Sequence, residues 1–139
     1  MRKTVEFGKL ARIVDANFNR AKEGLRVCED ICRYALDLKK ETRQLKDMRH
    51  TLTGVIEPLG MEGLLKARDI ASDIGRASTV SEFKRRDLND VFYANAQRVK
   101  ESIRVLEEIL KLVDGRRAKF LKQWRYKFYA IEQTMLARR

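Results

Sequence analysis

Apolar residues recur at three- and four-residue intervals over most of this chain, and the recurrence breaks only where small, polar or cyclic residues gather. From about residue 9 to 38, the series Ile13, Ala16, Ala21, Leu25, Cys28, Ile31, Cys32, Ala35 and Leu38 predicts one long amphipathic helix. A polar break at Lys39-Lys40-Glu41 leads to a second helix carrying Leu45, Met48, Leu52, Val55 and Ile56, which Pro58 and Gly60 end. Residues 58–86 predict an irregular insertion: a short helix over 61–70, a small polar loop over 71–79 and a turn of helix over 81–86. A third helix spans about 88–113 and stops at Asp114-Gly115. The fourth, about 117–137, carries Phe120, Leu121, Trp124, Phe128, Ile131 and Leu136.

The first and third helices are versions of one sequence. Ala16-Asn17-Phe18-Asn19-Arg20-Ala21-Lys22-Glu23-Gly24-Leu25-Arg26-Val27-Cys28-Glu29-Asp30-Ile31 aligns with Ala94-Asn95-Ala96-Gln97-Arg98-Val99-Lys100-Glu101-Ser102-Ile103-Arg104-Val105-Leu106-Glu107-Glu108-Ile109, and nine of the sixteen positions are identical. The second and fourth helices match too, Leu45-Lys46-Asp47-Met48-Arg49 over Leu121-Lys122-Gln123-Trp124-Arg125, with the connecting loop two residues shorter. The chain therefore reads as an all-α, single domain over 1–139. It is a four-helix bundle of two pseudo-twofold-related hairpins, about 9–57 and 87–138, with the insertion between them.

Polar residues shared by both repeats are the candidates for chemistry, since packing explains the shared apolar ones. On a helical wheel, Asn17 and Arg20 fall within the apolar face of the first helix and Glu23 flanks it. Asn95, Arg98 and Glu101 repeat that placement. A polar group buried without a partner costs roughly 2–7 kcal/mol, so something must satisfy these side chains. Two accounts follow. Arg20 could pair with Glu101 and Arg98 with Glu23 across the axis, locking the hairpins in register. Alternatively, the arginines and asparagines line a cavity for an anionic, hydrogen-bonding molecule. Arg26 with Glu29, and Arg104 with Glu107, have the spacing of solvent-side ion pairs. Arg49 and Arg125 either reach a cavity or snorkel. In the insertion, Arg68-Asp69 and Asp73-Ile74-Gly75-Arg76 place two carboxylates four apart, which could hold Mg²⁺ or form a helix end with Asp73 in an Asx turn.

Charge narrows the partners. The 139 residues include 31 basic and 20 acidic ones, a net charge of +11, which favours an anionic partner. The basic residues alternate with acidic ones and no arginine-rich arm stands out, which counts against nucleic acid. No apolar run is long enough for a membrane span, and the opening residues lack a secretory core, so a cytoplasmic location is expected. Cys28 and Cys32 lie on an apolar helix face without further metal ligands nearby, as reduced core cysteines do. There is no phosphate-binding P-loop, no kinase-type glycine-rich strand and no nucleophile–base pair. An oligomer is left open.

The stretch Arg12-Ile13-Val14-Asp15-Ala16-Asn17-Phe18-Asn19-Arg20-Ala21-Lys22-Glu23-Gly24-Leu25-Arg26-Val27 closely resembles the opening of an all-helical domain of thiamine biosynthesis. The likeness continues through residues 45–50, Ala67-Arg68-Asp69 with Asp73-Ile74-Gly75, Arg86, Asp90-Val91, Ala94-Asn95, Arg98, Glu101, residues 103–108, and Arg125-Tyr126-Lys127-Phe128-Tyr129 with Glu132. In cyanobacterial chains that domain precedes thiamine-phosphate synthase, and it is assigned as a second, non-ribokinase type of hydroxymethylpyrimidine-phosphate kinase. The resemblance implies ATP as phosphoryl donor, Mg²⁺ held by Asp69 and Asp73 at the catalytic centre, and a pyrimidine phosphate as substrate. Arg20 and Arg98 would hold phosphates, Asn17 or Asn95 and a carboxylate would read the ring, and Glu23, Arg49, Arg68, Gly75, Glu101 and Arg125 would complete the binding site. Arg76 departs from the small hydroxylated residue usual after Asp-Ile-Gly. The synthase barrel is absent from this sequence, so a separate synthase becomes an expected partner, unless the chain is an excised piece. Two other readings stay open: a non-catalytic module that binds the pyrimidine phosphate or docks on the synthase, and a cofactor-free helical mutase.

Overall fold

The structure, a computed structural model, describes residues 2–60, 74–75 and 84–138, with side chains from Phe7 onward. Its long helices are α1 (Arg2–Asp30), α2 (Lys39–Ile56), α3 (Leu88–Leu110) and α4 (Gly115–Ala137), and no strand occurs among the described residues. α1 and α3 share the largest interface, each packs against its own hairpin partner, and α2 meets α4 more sparingly. The circuit α1–α2–α4–α3 is the expected all-α bundle. The short helix expected over 61–70 lies outside the described residues; of the helical turn expected over 81–86, residues 81–83 also lie outside them, and residues 84–86 are not helical.

Two heptad-like stripes make the core. Phe18, Ala21, Leu25 and Cys28 of α1 face Ala96, Val99, Ile103 and Leu106 of α3, all fully buried. Leu45, Leu52 and Ile56 of α2, with Leu121 and Phe128 of α4, close the other side. Each such aliphatic or aromatic side chain contributes roughly 1.5–3 kcal/mol relative to exposure. Gly24 lets the central pair approach closely. A Cβ there would lie 2.8 Å from Val99 Cγ2 and 2.9 Å from the Asn95 carbonyl oxygen.

The phase of α1 differs from the sequence expectation. Its buried stripe runs through Ala11, Val14, Phe18, Ala21 and Leu25, whereas Ile13 is 37% exposed and Ala16 lies in solvent. The expected stripe, anchored on Ile13 and Ala16, was rotated toward the Arg20 side. Ala35 and Phe120 also turn out exposed, and Leu136 is half-buried.

The helix ends are set by identifiable contacts. α1 runs into a π-helical turn (Ile31–Ala35), with Leu36 N–H bonded to the Ile31 carbonyl at 3.1 Å and Leu38 N–H to that of Cys32 at 2.9 Å. Asp37 adopts φ 52°, the left-handed conformation that closes a helix and tolerates Asp better than most residues. The break therefore falls at Asp37-Leu38, and Lys39-Lys40-Glu41 form the first turn of α2 rather than the link. Glu57–Leu59 add a 3₁₀ turn, and Gly60 follows at φ 95°. Asp87 caps α3 by accepting from Asp90 N–H at 2.9 Å. Asp114 caps α4, accepting from Arg116 and Arg117 N–H, so Gly115 starts a helix instead of ending one. Arg117 Nε also donates to the Val55 carbonyl at 3.1 Å, and Trp124 Nε1 to that of Met48 at 3.0 Å, tying α4 to α2.

Candidate functional site

The repeated polar residues divide into a structural set and an exposed set. Asn17 Nδ2 donates to the Ile13 carbonyl at 2.9 Å, and Asn95 Nδ2 to the Val91 carbonyl at 2.8 Å, the same i to i−4 bond in both hairpins. Asn17 is buried and Asn95 half-buried, as expected for side chains at the edge of the core stripe. Arg20 and Arg98 are exposed, and so are Glu23 and Glu101, against the expectation of a buried polar face. The rotated phase is the reason: Arg20 stands one step outside the stripe, on the outer side of the α1–α3 pair. Neither Arg20–Glu101 nor Arg98–Glu23 forms an ion pair. Glu101 instead accepts from Gln97 Nε2 at 3.1 Å.

The structural set lies where a surface pair was expected. Glu29 and Glu107 are about as buried as any residue, at 1% and 2% exposure. Their close partners come from the next helix. Arg49 Nε meets Glu29 Oε1 at 3.2 Å, while Arg125 binds Glu107 through Nε to Oε2 at 2.5 Å and Nη2 to Oε1 at 3.2 Å. Arg26 and Arg104, the sequence neighbours, stay mostly in solvent at 3.9 and 3.8 Å from the same carboxylates. Arg49 and Arg125 therefore anchor each hairpin's two helices. The Glu107 carboxylate, through its hydrogen bond, raises the Arg125 pKa above its ordinary value.

The second hairpin carries more. Arg125 Nη1 donates to Tyr129 Oη at 2.9 Å, and Lys100 Nζ meets Glu132 Oε1 at 2.9 Å while lying 5.6 Å from the Tyr129 ring centroid. In the first hairpin the matching positions are Lys22, Thr53 and Ile56. Lys22 sits over the Phe18 ring at 4.5 Å and forms no ion pair among the described residues. Lys100, Tyr129 and Glu132 are not among the site residues the sequence singles out, since Lys100 and Glu132 lie 32 residues apart and Tyr129 and Glu132 have different residues at their matching positions in the first hairpin. The usable signal was Glu132 standing where its repeat has isoleucine.

Positive charge gathers at the turn between α1 and α2. There Arg33, Lys39, Arg43 and Lys46 line a cleft of about 500 Å³ with Asp37 and the edge of Glu29. None of those four cations is in an ion pair among the described residues, so the cleft has a local surplus that suits an anion. Of the insertion's candidates, Gly75 lies in an exposed turn, and Arg68, Asp69, Asp73 and Arg76 lie outside the described residues. Among the described residues no three His, Cys, Asp or Glu side chains are grouped to hold a metal ion. No helix among them is long and apolar enough to cross a membrane. Cys28 and Cys32 are buried free thiols, and burial pushes the Cys32 pKa up to about 11.

A family model for the ThiD2 family matches residues 12–134, which includes both hairpins and both sets of repeated residues. The chain belongs to the ThiD2 family. This domain family is associated with thiamine biosynthesis. The chain is 41% identical over 128 residues to a thiamine-phosphate synthase of Synechocystis, covering 91% of this chain and 36% of that protein. It is 41% identical over 128 residues to the thiamine-phosphate synthase of Thermosynechococcus vestitus, with 91% and 35% covered. A Rhodopirellula baltica protein of the same name is 38% identical over 120 residues, with 86% and 32% covered. The chain thus spans about a third of the length of these relatives. No solved structure matches it.

Proposed function

We propose that this ThiD2 domain is the kinase of thiamine biosynthesis that converts 4-amino-5-hydroxymethyl-2-methylpyrimidine phosphate to the diphosphate. An oxygen of the acceptor phosphate attacks the γ-phosphorus of ATP, the bond to the bridging oxygen breaks, and ADP leaves. The acceptor oxygen is already ionised, so the step asks for positioning and charge neutralisation more than for a strong base. The reading rests chiefly on one observation. Arg20 and Arg98 occupy the same position in both hairpins, are exposed, and form no ion pair among the described residues. A guanidinium without a carboxylate partner among the described residues is available to phosphate oxygens. Asn17 and Asn95 flank the same face. In this reading Asp69 and Asp73 would hold Mg²⁺, which would neutralise phosphate charge. The diphosphate then passes to a thiamine-phosphate synthase.

The test is a ³¹P assay with the pyrimidine monophosphate, ATP and Mg²⁺. Diphosphate resonances of the pyrimidine product, growing with ADP and absent without Mg²⁺, are the expected outcome. Binding of the monophosphate without any transfer would replace the kinase with a module that presents this compound to the synthase. Conversion of another substrate without ATP would favour the mutase reading.

A further inference from the structure

Glu132 Oε2 is fully buried and has no hydrogen-bond partner among the described residues, while its sister oxygen holds Lys100. A buried carboxylate oxygen left in that state costs free energy that the fold has an evident way to avoid. The equivalent position in the first hairpin is Ile56, fully buried and at home in the core. Packing and register are thus satisfied by isoleucine at this point of the repeat, and the second hairpin carries a carboxylate instead. Residues kept at a cost to stability are where function is expected.

Glu132 lines a recess among the turn that follows α1, the start of α3 and the end of α4. Ile31, Phe92 and Met135 form apolar walls, and Asn89 and Tyr93 join Glu132 as its polar lining. Its volume of about 30 Å³ is that of one or two waters. A space of that size matches an exocyclic amino group, with its ring at the mouth. An oxygen with only lone pairs to offer selects a donor, and apolar walls favour the flat face of a heterocycle over a solvated ammonium.

We propose that this recess is a recognition subsite for the amino-bearing edge of a nitrogen heterocycle, which donates N–H to Glu132 Oε2 while Lys100 fixes the carboxylate from the other side. Lys100 acts as a positioning residue. Both substrates of the kinase reading, the 4-aminopyrimidine phosphate and ATP, present such an edge. The choice of probes rests on that reading, whereas the site does not.

Calorimetric binding to the full chain tests it with two pairs: the 4-amino pyrimidine phosphate against its 4-oxo counterpart, and ATP against ITP. Wild type should prefer the amino member of one pair by about ten- to hundred-fold, the range of one hydrogen bond to a charged group. In Glu132→Gln the amide keeps an acceptor for Lys100 and turns an N–H toward the recess. The preference in that pair should then vanish or invert toward the oxo member, while the other pair is unaffected. The responding pair identifies which molecule enters. Asn89→Trp, at an exposed position on the lining, should weaken the preferred probe at least tenfold without lowering the melting temperature, and keeps the test open if the Gln variant misfolds. Amino preference unchanged in Glu132→Gln, no preference in wild type, or unchanged binding in Asn89→Trp would overturn the subsite. Failure of the ³¹P transfer assay alongside a Glu132-dependent amino preference removes the kinase and leaves the subsite standing.

Discussion

Arg125 grips Glu107 with two of its guanidinium nitrogens, whereas Arg49, its counterpart in the first hairpin, reaches Glu29 with Nε alone. Both carboxylates are out of solvent, so each arginine is what makes its burial tolerable. Removing one partner of a buried pair typically costs about 3–5 kcal/mol, because the other charge is left behind. Arg125→Ala is expected near the top of that range and Arg49→Ala below it, by urea unfolding. A loss under about 1 kcal/mol for Arg125→Ala would show that Glu107 finds another partner.

The two arginines first suspected of burial should behave in the opposite way. Arg20→Ala and Arg98→Ala remove exposed side chains that form no ion pair among the described residues, so unfolding free energies should move by no more than about 0.5 kcal/mol. Affinity for the pyrimidine phosphate should fall about tenfold or more, the loss of a charge-assisted hydrogen bond. A lower melting temperature with unchanged affinity would return these residues to the scaffold.

Gly24 and Gly54 make a matched pair of tests. At Gly24 an added Cβ meets Val99 and the Asn95 carbonyl, so Gly24→Ala forces α1 and α3 apart at a cost of about 1–3 kcal/mol. Nothing lies within 4 Å of a Cβ at Gly54, in the exposed last turns of α2. There alanine's helix propensity acts alone and should stabilise by about 0.5–1 kcal/mol. Thermal melts of the two variants should move in opposite directions, and a stabilised Gly24→Ala would mean that the central helices are less tightly joined than described.

The buried thiols give a pH dependence of definite sign. Burial, the largest cause, raises Cys32 from 9.0 to about 11, and the nearby Glu41 adds to it. The folded state therefore favours the neutral thiol. That stability is fully present below pH 9 and is lost as pH rises toward 11 and the unfolded chain sheds its proton first. Wild type should lose stability over this window more steeply than Cys32→Ala. Equal slopes would place the dependence on lysines and tyrosines instead. At pH 8 both cysteines should resist iodoacetamide in the native protein and react in urea, as read by mass spectrometry.

Much of the fold was legible in the sequence because helical periodicity and an internal repeat are local signals. The four helices and the pairing of hairpins follow from residues 16–31 lying over 94–109. The phase of α1 was not, because Ile13 and Ala16 look like core residues in sequence and only the contact with α3 shows that Val14 and Phe18 take that place. Glu29 and Glu107 were misread for a similar reason. The Arg three residues earlier does pair with each carboxylate, at 3.9 and 3.8 Å, but the carboxylate is buried and its closer arginine sits on another helix. Their identity in both repeats, together with that of Arg49 and Arg125, was the clue available. The Lys100–Glu132 pair belongs to one hairpin only, so the repeat could expose it solely as a mismatch.

Met48 and Trp124 are equivalent positions of the two hairpins, and they meet, the indole N–H of one on the carbonyl of the other. Where an internal axis runs between equivalents, two identical chains would have to place the same side chain on both sides, indole against indole or thioether against thioether. Joining the halves in one polypeptide lifts that requirement. A large rigid ring and a slender flexible chain share the space, and each half is free to diverge at the positions nearest the axis. The same freedom lets a carboxylate replace isoleucine at one end of the bundle while the other end keeps its apolar packing. A single-chain bundle can hold one specialised half and one conservative half, which a symmetric pair of hairpins could not.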